Sequence, residues 1–178
     1  MDFDGLVDRY EKPVYNLIYR LVGDAEEAAD LTQETFVSAY RSFAEFRGDA
    51  GEFTWLYRIA VNKCKNKFKE NDRRRAHETI SLDDDFAGDG AAYTPATASS
   101  DGPAALYEQK ELKEAITRAI SQLPPDYRVV SVLRDVHGLS YQEVAEVADL
   151  SVDVVRTRLA RARSALRLKL GHLLEPYW

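Results

Sequence analysis

Two stretches of the chain combine cations with aromatic or apolar residues at helical spacing, a combination that can bind a polyanion. The first, residues 58–75, carries eight Lys or Arg against two acidic residues, and it follows Phe53, Trp55 and Tyr57. Bases of single-stranded nucleic acid stack on aromatic rings while cations follow the backbone. Trp55 could equally be an ordinary core residue, and the sequence alone leaves both interpretations open.

The second stretch, residues 152–170, has six basic residues and one acidic residue. Its apolar residues recur at helical spacing, and the arginines fall largely on the other faces: Arg156, Arg158, Arg161, Arg163 and Arg167. The arginine fork fits both phosphates and the guanine edge. If about five of them neutralise phosphates, log affinity should fall with log salt at a slope of roughly −4 to −5.

A capped short helix and a tight turn precede this second basic stretch. Ser140 and Glu143 have the spacing of a capping box for a helix over residues 141–148, and Asp149-Leu150-Ser151 then breaks the chain. This pattern is typical of a helix-turn-helix, whose second helix enters the major groove. A basic face on a packing helix is the alternative, but the capped helix and turn favour DNA binding.

The remaining elements are also predicted to be helices, so we expect an all-α fold. Asp24 and Glu27 form a second capping-box pattern, and Pro124-Pro125 can start a helix that ends before Gly138. Gly171 is a reasonable stop for the last helix. The predicted helices cover about residues 4–21, 25–43, 54–72, 103–122, 125–137, 141–148 and 152–170.

The charge is unevenly distributed along the 178 residues, whose net charge is −6. Residues 76–108 contain seven acidic and no basic residues and are rich in Gly, Ala, Ser, Thr, Pro and Asp, which predicts a flexible acidic linker. The linker separates two small helical domains, residues 1–75 and 109–178. The negative net charge of the chain therefore conceals two basic regions. The electric field near each region, rather than the net charge, governs the binding of polyanions.

Several classes of protein are disfavoured. No apolar run approaches the roughly 20 residues of a membrane span, and the polar, acidic start does not resemble a signal peptide. The single Cys64 cannot form an internal disulfide, which fits a cytoplasmic protein. His77, His137 and His172 lack metal-ligand spacing, and no Gly-rich phosphate loop occurs. We therefore expect no enzyme activity, cofactor or metal, and we expect His137 to be a helix-end residue.

The motifs together resemble extracytoplasmic-function sigma factors, the smallest members of the sigma-70 family. ADLTQETFVSAYRSF, FRGDAGEFTWLYRIAVNKCKNKFK and RRR are similar to their region 2, and LPPDYRVVSVLRDVHGLSYQEVAEVADLSVDVVRTRLARARSALR is similar to their region 4. The resemblance covers roughly 140 residues in the family's order. It implies an alternative sigma factor for a stress or envelope response, with core RNA polymerase and promoter DNA as partners.

In region 2 the resemblance implies two sets of contact residues. Those that would dock on the β′ clamp helices of the polymerase are Asp30, Leu31, Gln33, Glu34, Phe36, Val37, Tyr40 and Arg41. Those that would melt and bind the −10 element are Phe46, Arg47, Gly48, Asp49, Phe53, Trp55, Arg58, Asn62, Lys63, Lys65, Asn66, Arg73 and Arg74. Flipping a base into a pocket there costs a few kcal/mol in lost pairing and stacking within the DNA, which stacking on the protein must offset.

In region 4 the resemblance implies that the helix-turn-helix, from Tyr141 to Ala160, reads the −35 element as duplex. The contacts would come from Ser140, Tyr141, Ser151, Asp153, Val154, Arg156, Thr157, Arg158, Arg161 and Arg163. The family commonly has Gly-Thr-Val where this chain has Asp153-Val154-Val155. Asp153 favours the helix dipole but would repel phosphates or accept from a cytosine amine, so the −35 sequence stays open.

The resemblance also implies further partners and a path for the acidic linker. Region 4 would touch the β flap, an anti-sigma factor would hold the protein inactive, and the acidic linker would pass through the polymerase cleft. The apolar C-terminal LLEPYW could pack on region 4 or serve a partner. Two other classes compete with this interpretation: a stand-alone helix-turn-helix regulator, which would bind duplex DNA without polymerase, and a pure protein-interaction module.

Overall fold

The computed structural model describes residues 2–46, 48, 51–78 and 103–174. Within them the chain forms seven α-helices and no strand, as the apolar periodicity predicted. The first half contains α1 (Phe3–Val22), α2 (Ala25–Ser42), a 3-10 turn (Phe43–Glu45) and α3 (Glu52–Glu78). The second half contains α4 (Pro103–Ser121), α5 (Pro125–Ser131), a π-helical turn (Val132–Val136), α6 (Tyr141–Ala148) and α7 (Val152–Leu174).

The structure describes the predicted linker, residues 76–108, only at its two ends. Residues 79–102, the acidic centre of that linker, lie outside the described residues, as do residues 175–178 at the C-terminus. The two ends of the predicted linker are helical, because α3 continues to Glu78 and α4 begins at Pro103. Basic residues 73–75 therefore lie on the same helix as the aromatic residues at its start.

Local sequence signals explain how α1 ends and α2 begins. Gly23 adopts φ 83°, a left-handed conformation that glycine accepts without steric cost, and its N–H donates to the Tyr19 carbonyl at 2.8 Å. The Asp24 carboxylate then accepts a hydrogen bond from the Glu27 N–H at 2.8 Å. The tight connection places α1 and α2 side by side.

The helix predicted to run up to Gly138 is not regular. α5 ends at Ser131, and residues 132–136 form a π-helical turn in which the His137 N–H reaches the Val132 carbonyl at 3.0 Å. Such turns insert an extra residue into a helix and re-aim the side chains that follow. Here the turn directs the His137 ring toward α3, where it meets Tyr57.

The two halves share one hydrophobic core. A single cluster of buried residues joins Leu17, Tyr57 and Val61 of the first half to Val130 and Val144 of the second. The main contact between the halves is α3 against α6, with α1 also packing on α4 and α5. Each half is about 70 residues long, a size at which an isolated core is small, so joining the two increases the buried fraction of each.

Candidate nucleic-acid interface

The row of residues predicted to dock on polymerase lies mostly on one exposed face of α2. Asp30, Gln33, Glu34 and Arg41 are exposed, and two large apolar neighbours, Val37 and Tyr40, are 50% and 67% exposed. Apolar side chains beside an exposed polar row are typical of a protein contact surface.

Two members of the predicted docking set face the interior instead. Leu31 is only 6% exposed and belongs to the shared core, and Phe36 is half-buried and packs against it. The helix therefore uses these two residues to fix its position. The predicted docking row is therefore limited to the exposed residues of α2.

Aromatic rings gather where α3 begins. The Phe46 and Trp55 rings lie 4.7 Å apart between centroids, and Phe43 lies 6.5 Å from Trp55. Trp55 is half-buried, so it both packs on the small cluster around Leu56 and keeps part of its ring accessible. Gly48 adopts φ 79° in the preceding turn. Arg47 and Asp49, which were predicted to contact the −10 DNA, lie outside the described residues.

The polar residues along α3 differ in their partners. Lys63 pairs with Glu34 at 3.4 Å and Lys67 pairs with Glu27 at 3.2 Å, which ties α3 to α2. Arg58 and Lys65 instead donate to backbone carbonyls of α6 in the second half. Of the other predicted −10 residues on this helix, Phe53 is half-buried and its ring centroid lies 4.0 Å from that of Tyr57. Four more are exposed to solvent: Asn62, Asn66, Arg73 and Arg74.

The predicted helix-turn-helix has the expected geometry. The Ser140 hydroxyl accepts from the Glu143 N–H at 3.2 Å, and the Glu143 carboxylate accepts from the Ser140 N–H at 2.7 Å. These hydrogen bonds to the charged form lower the pKa of Glu143. Asp149 ends α6 in the left-handed conformation, φ 56°, and the Ser151 hydroxyl accepts from the Val154 N–H at 3.3 Å to begin α7.

The second helix of the motif begins at Val152, as predicted, and extends beyond the C-terminal end that the sequence suggested. Ala160, where the predicted helix-turn-helix ends, is an exposed residue inside α7, and the helix continues past Gly171 to Leu174. The residues after Ala160 include good helix formers, and the apolar stripe continues through the buried Ala162 and Leu170. Gly171 therefore does not stop the helix, contrary to the prediction.

The arginines of α7 are not equivalent. The Arg158 guanidinium pairs with Asp126 at 3.0 Å, and Arg163 pairs with Asp135 at 2.6 Å, so both hold α7 against α5 and the π-helical turn. Arg161 only approaches the Tyr127 hydroxyl, at 3.4 Å. Arg156 is 65% exposed and has a long contact of 3.9 Å with Asp153. Its guanidinium also lies 5.9 Å from the Tyr141 ring centroid.

Residues 6–74 match the family described as Sigma-70 region 2, and residues 113–166 match Sigma-70, region 4. The RNA polymerase sigma-H factor of Pseudomonas aeruginosa is 39% identical over 175 residues, which cover 97% of this chain and 88% of that protein. This chain belongs to the extracytoplasmic-function sigma factors of the sigma-70 family. It is an alternative sigma factor that acts in transcription initiation, and its two regions imply binding to core RNA polymerase and promoter DNA.

Further relatives agree with this sigma factor assignment. The ECF RNA polymerase sigma-E factor of Escherichia coli K12 is 37% identical over 175 residues, covering 97% of this chain and 88% of that protein. The sigma factor RpoE of Bartonella quintana, solved with the anti-sigma factor NepR, has the same fold at TM-score 0.73 and 20% identity, covering 96% of this chain and 97% of that chain. CnrH, solved with the cytosolic domain of CnrY, aligns at TM-score 0.62 and 24% identity over 99% of this chain and 89% of that chain.

Sequence reasoning missed two residues of this sigma factor that join its regions. The Arg128 guanidinium donates to the Leu21 carbonyl at the end of α1 and to the carbonyls of Ser121 and Leu123, and it lies 5.6 Å from the centre of the Phe68 ring. Burial lowers its pKa. The LPPDYR motif contains this arginine, but its spacing gives no signal that it reaches region 2.

The second missed residue is His137, which was expected only to end a helix. It does so, and its Nδ1 also lies 3.0 Å from the Tyr57 hydroxyl across the boundary between regions. Burial, with a smaller contribution from Arg20, lowers the pKa of His137 to about 4, so the ring is neutral at pH 7. Its Nε2 is buried and finds no hydrogen-bond partner within the described part of the chain.

Metal-binding clusters and membrane spans do not occur among the residues that the structure describes. No three His, Cys, Asp or Glu side chains converge there as a metal-binding group. None of the described helices has the length and apolarity required to cross a bilayer.

Proposed function

We propose that this sigma factor divides promoter recognition between the aromatic start and basic face of α3, which bind the melted −10 element, and the amino-terminal half of α7, which reads the −35 element. The exposed row of α2 docks on the polymerase clamp helices. The observation that carries the proposal is the pairing of accessible aromatic surface at Trp55 with exposed cations farther along the same helix.

The physical support at the −10 site is the combination of stacking and charge. Trp55 rests on Phe43 and Phe46, so a base that stacks on its free part meets a surface that is already ordered. Stacking on such a ring is worth about 1–3 kcal/mol per base, comparable to the cost of unpairing it. Arg73 and Arg74 then meet phosphates about five helical turns further along α3.

The support at the −35 site is the exposure at the start of α7. Asp153 is 93% exposed at its side chain, Arg156 is 65% exposed and Val154 is 38% exposed, so these residues can enter a major groove. Arg158 and Arg163 contribute differently, since their pairs with Asp126 and Asp135 orient the helix.

The location, the cellular role and the regulation of the protein follow from this proposed role in promoter recognition. The protein works in the cytoplasm, where the polymerase is, and has no enzymatic activity of its own. It serves a stress or envelope response, and an anti-sigma factor holds it inactive, as NepR and CnrY accompany sigma factors of the same fold. A stand-alone duplex-binding regulator is not favoured, because such a protein needs neither the docking row nor the −10 surface.

Transcription from a library of promoter fragments with purified core polymerase tests the proposal. We expect starts that depend on this protein and share two upstream motifs. Trp55→Ala should reduce open complexes about tenfold or more, consistent with a loss of about 1–3 kcal/mol of stacking, without weakening the complex with core. Arg118→Ala, an exposed site on α4, is the control. If none of the transcription starts depends on this protein, the proposal is refuted.

A further inference from the structure

One aromatic ring of region 4 lies among three arginines. The guanidinium carbon of Arg134 is 5.1 Å from the centre of the Tyr141 ring, and that of Arg156 is 5.9 Å from it. The Tyr141 hydroxyl also interacts with Arg163, whose pKa is raised mainly by the hydrogen bond to Asp135 and to a smaller extent by Tyr141. A guanidinium within about 6 Å of a ring centroid is attracted by the ring quadrupole. Tyr141 therefore links cations of two different elements.

The Tyr141 ring is held in place by the fold of region 4. It stands at the first position of α6, immediately after the Ser140 cap, and its half-buried side chain packs against the shared core. Arg134 is fixed as well, because its Nη1 donates to the Leu139 carbonyl at 2.6 Å. Arg134 belongs to the π-helical turn, an irregularity that often accompanies a functional site. The ring and Arg134 together form an ordered support.

Arg156 is the exposed member of this group. Its side chain is 65% exposed near the start of α7, and its ion pair with the 93% exposed Asp153 is long, at 3.9 Å. An exposed ion pair of this kind holds a side chain weakly. An arginine side chain carries about 2 kcal/mol of rotamer entropy, which opposes a base contact unless the guanidinium is already oriented. Of these two contacts of Arg156, the Tyr141 ring is the better fixed.

We propose that Tyr141 is a positioning residue for −35 recognition: its ring, supported by Arg134, orients the Arg156 guanidinium toward the base pair that this arginine reads. This inference rests on the proposed role of α7 in reading the −35 element. It assigns the base contact to Arg156 and an indirect role to Tyr141, so the ring is required and the hydroxyl is not. A tyrosine that bound a phosphate directly would need its hydroxyl and would add affinity for every sequence equally.

Two substitutions separate the ring from the hydroxyl. Tyr141→Phe keeps the ring and removes only the oxygen, whereas Tyr141→Leu removes the ring and keeps an apolar side chain for the core. Tyr15→Leu is the matched control, because Tyr15 in region 2 is also a half-buried tyrosine that packs against the shared core. Arg134→Gln is a milder second variant, since it removes the cation beside the ring and retains an N–H donor for the Leu139 carbonyl.

The measurement is the selectivity of the holoenzyme among −35 duplexes in which each base pair of the sequence found by the transcription assay is replaced in turn. We expect Tyr141→Leu to lose about three- to fivefold in selectivity at one base pair, the same one at which Arg156→Ala loses it, with the other positions unchanged. Tyr141→Phe and Tyr15→Leu should retain the selectivity, and Arg134→Gln should lose about twofold at the same base pair. Adding Tyr141→Leu to Arg156→Ala should cause no further loss, because both act through one contact.

A structural role or a direct phosphate contact gives a different result. If Tyr141→Leu weakens binding to every duplex equally, or if Tyr141→Phe loses as much selectivity as Tyr141→Leu, the positioning role is overturned while the reading by Arg156 stands. Urea unfolding of each variant shows whether it is folded, and Arg134→Gln decides the question if Tyr141→Leu is not. If Arg156→Ala retains full selectivity at every base pair, the proposed reading by α7 fails first and the positioning role fails with it.

Discussion

The basic faces of α3 and α7 have similar compositions, but their cations have different partners. On α3, Arg58 and Lys65 contact the other region, whereas on α7, Arg158 and Arg163 contact acidic residues within their own region. The start of α7 remains exposed, whereas the middle of α3 is partly covered: Lys65 is half-buried, and Asn62 and Asn66 are exposed. Two stretches that look alike as charge patterns therefore differ in availability: the proposed −35 surface is accessible, and the proposed −10 surface is partly covered.

The largest expected effect concerns the residue that joins the two regions from the side of region 4. Arg128→Met keeps much of the length of the side chain but removes hydrogen bonds to the carbonyls of Leu21, Ser121 and Leu123. Leaving the part-buried carbonyls of Leu21 and Leu123 without this donor, together with the loss of the bond to Ser121, should lower the free energy of unfolding by about 2 kcal/mol, measured in urea. Arg118→Met, at a side chain that is 68% exposed, should change it by less than about 0.5 kcal/mol.

The result distinguishes two views of the boundary between regions. If Arg128→Met and Arg118→Met have equal stability, the regions are held together by other contacts and α3 is only loosely covered. If the Arg128 variant loses stability as expected, the boundary is part of the fold of the free protein.

The next effect concerns the different exposure and ion-pair partners of the α7 arginines. Arg156→Ala should weaken binding of the holoenzyme to −35 duplex about tenfold, because one good base contact is worth about 1–3 kcal/mol, while unfolding changes little. Arg163→Ala should instead lower the free energy of unfolding by about 0.5–1 kcal/mol, since it breaks the pair with Asp135. Equal losses of affinity for both variants would contradict the division between reading and orienting arginines.

A third effect is the pH dependence of the contact between Tyr57 and His137. The pKa of His137 is about 4 in the folded protein and about 6.5 when the ring is exposed. Between these pH values His137 is protonated in the unfolded protein and neutral in the folded protein. The stability from this site is complete above pH 6.5 and is lost as the pH falls toward 4. Tyr57 and Arg20 are the titratable or charged neighbours that act on the ring.

Lowering the pH from about 7 to about 5.5 should therefore cost the protein about 1 kcal/mol through His137 alone. The measurement is the difference in urea unfolding between the unmodified protein and His137→Asn at each pH, because carboxylates titrate equally in both. Parallel pH profiles would show that the ring is not desolvated.

Local signals in the sequence predicted most of the fold and the helices that form the helix-turn-helix. The capping box of Ser140 and Glu143 and the turn at Asp149 depend on residues close in sequence, and the structure confirms the helices that they bound. The contact of His137 with Tyr57 and the pairing of Arg158 with Asp126 depend on neighbours 80 and 32 residues away. A charge pattern cannot reveal which cations already have partners.

The smallest expected effect concerns Asp153, where this chain departs from the family pattern. Its side chain is 93% exposed in the first turn of α7, and its pair with Arg156 is long, at 3.9 Å. Asp153→Asn removes a charge that favours the helix dipole, at a cost of about 0.5 kcal/mol in unfolding. It also removes repulsion from phosphates and frees Arg156, so affinity for −35 duplex should rise about threefold. Glu111→Gln provides the same charge change at an exposed residue of α4. A loss of affinity confined to promoters with one particular base in the −35 element would mean that the Asp153 carboxylate reads that base directly.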